Sequence, residues 1–390
     1  MKILFALTYY RPHVSGLTIY VERLAAALAQ RGHSVTVLTS RYQKDLPRQQ
    51  MVEGVRVIRM PVAARVSKGV LMPGFGDVAR ALLREHDVVS IHLPQLDAAG
   101  IAVSAKLLGT PVVLTYHCDL QLPPGLFNRV VDRVVYVANY VAATLANRIV
   151  VYTKDYASHS SLLRDFQEKW APILPPVVLP PAAAGATEAF AEQWDLAHHR
   201  PTIGFVARLA TEKGAEVMLH ALPRIKEHFP YVRVLYAGQH QLVLGEEAYA
   251  ARLAPLFEQY REHWQFVGIL KPHELAAFYP NCDVVVVPSL NSTESFGLVQ
   301  VEAMLQGTPS VASDLPGVRQ PVRMSGMGRI APVGDSVGLA DAILEVLHNH
   351  PHYVRPHAEI DAIFSLDRTV TAYESLFREE QQKAQCHFKH

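Results

Sequence analysis

Short apolar runs alternate with longer amphipathic segments along almost the whole chain, and the pattern restarts once near the middle. In the first half, residues 2–7, 34–39, 55–60, 87–91, 111–115 and 148–152 are rich in Val and Ile with few polar breaks. Strands buried on both faces read this way. Helix-like segments such as 17–31 and 96–108 lie between several of them, each followed by a glycine, Gly32 and Gly109, suited to ending a helix. The alternation predicts a parallel sheet covered by helices on both sides. Residues 172–181 hold five prolines and run into 182–186, four alanines and one glycine, which is linker composition. Beyond it, residues 202–207, 232–237, 264–267, 283–287 and 310–312 read as strands, with helices at 214–228, 246–262, 272–279 and 297–306. The fold class expected is α/β: two Rossmann-like α/β/α domains facing each other across a cleft. Ligands of open α/β sheets sit outside the carboxyl ends of the strands.

A length of 390 residues suits two such domains, and 49% apolar with 19% charged residues supports large cores rather than disorder. The formal net charge of +1 provides no bulk attraction to nucleic acid, so no such partner is expected. Cys118, Cys282 and Cys386 are far apart and odd in number, which argues against a zinc site or a disulfide framework. A reducing cytoplasm is the expected location. The apolar run at residues 1–7 is too short for a signal peptide and is followed by Tyr9, Tyr10 and Arg11. The longest apolar stretch, 134–151, carries Asn139, Asn147 and Arg148, which a bilayer core would penalise. Peripheral membrane contact stays open.

The stretch from Pro288 to Pro309 carries the most chemistry. It leaves a buried strand, places Glu294 in a loop, reaches Gly297, and sets Glu302 on the helix that follows. Helix starts attract phosphate through free N–H groups, whereas carboxylates accept from sugar hydroxyls. Upstream, the strand at 202–207 delivers Arg208 to its carboxyl end, and Lys213 stands just before the helix opened by Gly214. A planar fork and a point charge beside a helix start suit a diphosphate. In the first half, the loop Thr8-Tyr-Tyr-Arg-Pro-His-Val-Ser-Gly16 lets a backbone approach a ligand at a helix start, or is an ordinary strand-to-helix turn. His117 follows the strand at 111–115 and precedes Asp119, as a general base, a hydroxyl partner or a structural histidine. His92 stands at the end of another strand. Neither histidine has metal-ligand spacing to other residues.

Together these pieces resemble the GT-B glycosyltransferases of family 4, retaining enzymes that use nucleotide sugars. The most specific element is the E-x7-E spacing, Glu294-Ser-Phe-Gly-Leu-Val-Gln-Val-Glu302, followed by Ala-Met-Leu-Gln-Gly-Thr-Pro309. Residues 207–214 and Phe266-Val-Gly268 add to it. The resemblance implies an acceptor domain at 1–180, a donor domain at 195–364, and a last helix, about 365–390, that packs back onto the first domain. It implies a catalytic set of His117, Glu294, Arg208 and Lys213, with Arg208 and Lys213 holding the diphosphate. Glu302 is expected to hold the ribose. Glu294, Ser295 and the backbone of Phe296, Gly297 and Leu298 are expected to meet donor sugar and phosphate. Gly16 is expected near the diphosphate or acceptor, and Gly268 and Ile269 beside the base. No cofactor and no metal are expected; the partners are a UDP- or GDP-sugar and a glycan, lipid or small-molecule acceptor. Ser15-Gly16 stands where many members have two glycines, and Ala207 where glycine is common. Two other classes fit the same fold, a nucleotide-sugar isomerase or epimerase and a non-catalytic nucleotide-sugar-binding protein. The acceptor is expected to meet loops 61–75 and 119–127, which carry no decodable signature.

Overall fold

The computed structural model describes residues 1–66, 69–121, 125–243 and 245–387. The chain divides into two compact units, Met1–Pro176 together with Leu366–His390, and Val177–Ser365. Loops 61–75 and 119–127 are described except for residues 67–68 and 122–124, and the last helical segment is described up to residue 387.

In the first unit β1 (Lys2–Ala6), α1 (Gly16–Gln30), β2 (Ser34–Arg41), β3 (Gln49–Val52) and β4 (Val55–Pro61) come first. A small hairpin, β5 (Ala64–Val66) and β6 (Gly69–Leu71), leads to α2 (Phe75–Leu83). Then follow β7 (Val88–Leu93), α3 (Ala98–Leu108), β8 (Val112–Tyr116), α4 (Leu126–Leu145), β9 (Arg148–Val151), α5 (Lys154–His159) and β10 (Trp170–Pro172). The eight-stranded sheet runs β10-β9-β8-β7-β1-β2-β4-β3. Only β3 is antiparallel, paired with β4 at the sheet's edge. The sheet reverses direction between β1 and β7, whose carboxyl ends open into the loops at residues 7–15 and 94–97. The central strands β1, β7 and β8 are almost wholly buried, as their largely apolar sequences require.

The second unit opens with α6 (Ala186–Gln193) and then alternates β11 (Thr202–Val206), α7 (Ala215–His228), β12 (Arg233–Ala237), α8 (Glu247–Gln259), β13 (Trp264–Gly268) and α9 (Pro272–Phe278). It continues through β14 (Val284–Val287), α10 (Leu298–Leu305), β15 (Ser310–Ser313), α11 (Gln320–Ser325), β16 (Gly328–Ala331) and α12 (Ser336–His348). It ends on α13 (His350–Tyr353) and α14 (His357–Phe364). Its six parallel strands lie in the order β13-β12-β11-β14-β15-β16, with the reversal between β11 and β14. That is the strand order of a dinucleotide-binding fold, and the reversal marks the crevice where its ligands bind.

The last helix, α15 (Leu366–His387), belongs to the first unit. Its Tyr373 hydroxyl lies 2.6 Å from that of Tyr20 on α1 and 2.9 Å from Thr115 Oγ1 on β8. Phe377 meets the Phe5 ring edge-on at 6.4 Å. Arg31, just past α1, pairs with Asp367 and lies 2.6 Å from Glu374, whose other oxygen accepts from His33 at 2.5 Å.

Candidate active site

In the second unit, the loops that leave β11 and β14 are welded together. The Leu290 N–H donates to the Glu212 carbonyl at 2.9 Å. Gly214, at the start of α7, has φ +72, and a Cβ there would lie 2.0 Å from the Pro288 carbonyl oxygen. Only glycine permits both the left-handed backbone and this approach. The contact carries Lys213 of one loop to the acid of the other. Lys213 Nζ donates to Glu294 Oε2 at 2.6 Å, and both side chains are about four-fifths covered. Glu294 Oε1 accepts from the Gly297 N–H at 3.0 Å. Arg208 pairs with Glu212 four residues on.

The Glu294 carboxylate thus spans an ammonium group and the N–H of the residue that caps α10, two groups that each favour an anion. Gly297 caps α10 with φ +76, and a Cβ there would sit 2.6 Å from Gln300 Nε2. Gln300 is fully buried and donates to the Phe296 and Val318 carbonyls at 3.1 and 2.9 Å, which fixes the helix start. Ser295 and Phe296 are buried, and the Phe296 ring packs toward Phe364 at 6.3 Å, so Phe296 offers a ligand its backbone alone. Leu298 is half-buried. Glu302, in the second turn of α10, is only 5% exposed and accepts from the Tyr279 hydroxyl at 3.0 Å.

Sheet order sets the rest along the same carboxyl edge. The ends of β13, β12, β11 and β14 follow one another: β13 finishes on Gly268 just before Ile269, and the loops after the other three carry Gly238, Arg208 with Lys213, and Glu294. The Gly238 N–H donates to the Gly268 carbonyl at 2.7 Å, and Ile269 is 73% exposed, an apolar face for a flat ring. Sequence reasoning missed Gly238, Glu212 and Tyr279. Gly238 had a legible signal, a glycine directly after a strand; the pairings of Glu212 with Arg208 and of Tyr279 with Glu302 depend on the fold.

Gly16 and His117 lie in the first unit. Gly16 is exposed at the start of α1, where Ser15 and Thr18 satisfy each other's backbone N–H groups. His117 is 4% exposed. Its Nε2 lies 2.8 Å from His92 Nδ1, and its Nδ1 meets the Tyr152 hydroxyl. His92 continues the chain to Ser90 Oγ at 3.3 Å. Burial pushes the His92 imidazole down to about 3. Burial, and then the neighbouring His92, holds His117 well below the ordinary histidine range. Both rings are neutral, and each nitrogen of His117 faces a protein partner. Asp119 is likewise engaged, accepting from the Tyr116 and Ser160 hydroxyls at 2.7 and 2.6 Å. Among the described residues no cluster of three His, Cys, Asp or Glu is placed to hold a metal ion.

Residues 186–360 match the family model for glycosyl transferases group 1, and residues 15–173 match that for a glycosyl transferase 4-like domain. The chain is similar to the phosphatidyl-myo-inositol mannosyltransferase of Mycobacterium leprae, 29% identical over 92% of this chain and 90% of that one. It is also similar to the D-inositol 3-phosphate glycosyltransferase of Xylanimonas cellulosilytica, 30% identical over 84% of this chain and 82% of that protein. Among solved structures, sucrose-phosphate synthase from Thermosynechococcus elongatus superposes with a TM-score of 0.76 at 21% identity, covering 97% of this chain and 98% of that one. Anabaena HepE in complex with UDP does so with 0.75 at 21% identity, covering 97% and 99%. A relative this similar over most of both chains, two family models that together span nearly the whole sequence, and the shared fold lead to one conclusion: this chain is a transferase of the GT-B fold, a member of glycosyltransferase family 4.

Proposed function

We propose that the protein transfers a hexosyl group from a UDP- or GDP-sugar to a hydroxyl of a glycan, lipid or small-molecule acceptor, with retention at the anomeric carbon. One observation carries the reading: Lys213 and the N–H of Gly297, the cap of α10, converge on a single carboxylate, with Arg208 on the same loop as Lys213. That is an anion site, occupied from within by Glu294. A donor diphosphate takes the carboxylate's place, bound by Arg208, Lys213 and the helix start. Glu294, displaced, then accepts from hydroxyls of the donor sugar, and Glu302 from those of the ribose. The glycosidic bond to the diphosphate breaks as its charge is met by these groups. The acceptor oxygen attacks from the same face and passes its proton to the departing phosphate oxygen. The names of similar proteins agree with this substrate class: two are transferases acting on inositol-containing acceptors, and HepE structures contain UDP and UDP-glucose.

The test is incubation with UDP-, GDP- and ADP-sugars and a panel of acceptors, with and without EDTA. The expected result is released nucleoside diphosphate and a product that keeps the donor's anomeric configuration by NMR, at a rate EDTA leaves unchanged. An altered sugar without acceptor, or tight binding with no turnover, overturns the reading in favour of an isomerase or a sensor. A glycosylated side chain trapped during turnover overturns the same-face attack.

A further inference from the structure

Helix α4 presents its apolar side to solvent. Leu126, Phe127, Val130, Val134, Val137 and Val141 are all exposed, Phe127 by 64% and Val134 and Val137 by about half. From Phe127 onward they recur at spacings of three and four residues, so they form one continuous stripe. The opposite side of the helix faces the protein. Ala142 and Ala143 are buried, and Asn139 Oδ1 accepts from the Gln95 N–H at 3.2 Å. An ordinary surface helix turns the other way, and scattered single apolar residues would need no account. A stripe six residues long does.

The charges on the helix decide what covers it. Arg129 and Arg133 are exposed beside the stripe, and the single acid, Asp132, is half-buried. A second copy of α4 would leave both arginines without a carboxylate. Parallel pairing brings arginine toward arginine, and antiparallel pairing sets them against residues 134–145, which contain no acid. Lipid phosphates supply the missing anions and acyl chains the apolar surface. The twenty-residue helix is too polar to span: among the described residues no helix is long and apolar enough to cross a membrane. We propose that the outward face of α4 seats the protein on an anionic lipid surface, lying in the plane of the interface with the valine stripe buried and the two arginines at the phosphates.

The experiment is co-sedimentation of the full chain with vesicles of phosphatidylcholine alone or mixed with phosphatidylglycerol, over a range of salt. The parent is expected to pellet with the anionic vesicles and to be released by salt. The double variant Val134→Glu/Val137→Glu is expected to stay in the supernatant. Arg129→Gln/Arg133→Gln is expected to lose about thirtyfold in affinity for anionic vesicles, on the scale of about fivefold per basic residue at such a surface. This second variant alters only exposed side chains and decides the matter even if the glutamates impair folding. A parent that never pellets, or arginine variants that bind like the parent, overturns the proposal. So does a parent dimer in sedimentation velocity that the glutamates convert to monomer, because a second copy then covers the stripe.

Discussion

At the residue scale, the role proposed for Glu294 is open to a substitution. Glu294→Gln keeps the shape but gives up the charge that neutralises Lys213. Transfer is expected to fall by about 100- to 1,000-fold, while nucleoside diphosphate binding, measured by calorimetry, holds or tightens. A loss of binding as large as the loss of rate would refute the assignment. Tyr279→Phe removes the hydrogen bond to Glu302; its expected effect is a donor KM about fivefold higher with kcat nearly unchanged, the scale of one hydrogen bond. The buried histidines predict a pH effect. His92 and His117 are neutral when folded and titrate near their ordinary value when unfolded. Below about pH 6.5 the unfolded chain therefore takes up protons that the folded chain refuses, so stability falls with falling pH by up to about 1.4 kcal/mol per unit for each ring. Asp97, pushed up to about 6 by burial, acts in the opposite sense, so the contrast with a variant is what counts. Urea midpoints between about pH 7 and 5 should slope less steeply in His92→Asn than in the parent; equal slopes would exclude the buried pair. The sequence shows His117 at a strand end but not its partners, because His92 and Tyr152 lie 25 and 35 residues away in the chain and only the sheet brings them together. One contact of Glu294 lies within the sequence's reach for the opposite reason: Gly297, whose N–H it accepts from, is three residues on.

At the element scale, the loops leaving β11 and β14 in the second unit hold together through the Leu290–Glu212 backbone hydrogen bond and the close approach of Gly214 to Pro288. Gly214→Ala forces a Cβ against the Pro288 carbonyl and a positive φ on alanine. A loss of at least about 2 kcal/mol in stability is expected, with nucleotide affinity reduced because Lys213 moves with the loop. Calorimetric unfolding and nucleotide titration of the same variant check both; a parent-like Tm would mean that the loop yields. Strands were legible where both faces are buried and polar breaks are few: β14 is four valines, and β7 and β8 open on paired valines. β3, four residues of which two are exposed, has no such run and pairs antiparallel at the edge. The residues of β16 and α12 were likewise not read as elements, although Asp335 caps α12 through Val337 and Gly338 in the usual way. The valines of 134–151 divide between a surface helix and the buried strand β9, a boundary that hydropathy alone does not mark.

At the scale of the whole molecule, α15 is sequence-distant but structurally part of the first unit's core. Tyr373 and Phe377 are fully buried. A chain stopped after Ser365 loses both, at about 3–5 kcal/mol each, against a domain stability of about 5–15 kcal/mol. Limited proteolysis is expected to degrade residues 1–176 of that shortened chain while 177–365 resists; equal resistance of both would show that α15 is dispensable. The sequence marks residues 365–383 as a charged helix, but its destination was suggested only by family likeness, because Tyr373 finds Tyr20 across 353 positions. The same arrangement bears on how the protein is made. A ribosome releases β1 and α1 first, yet the aromatic residues that seal them come last, after all of the second unit has been synthesised. At about 5–20 residues per second that is a delay of roughly ten to forty seconds. Throughout it the nascent chain shows an open apolar seam, a natural client for a chaperone.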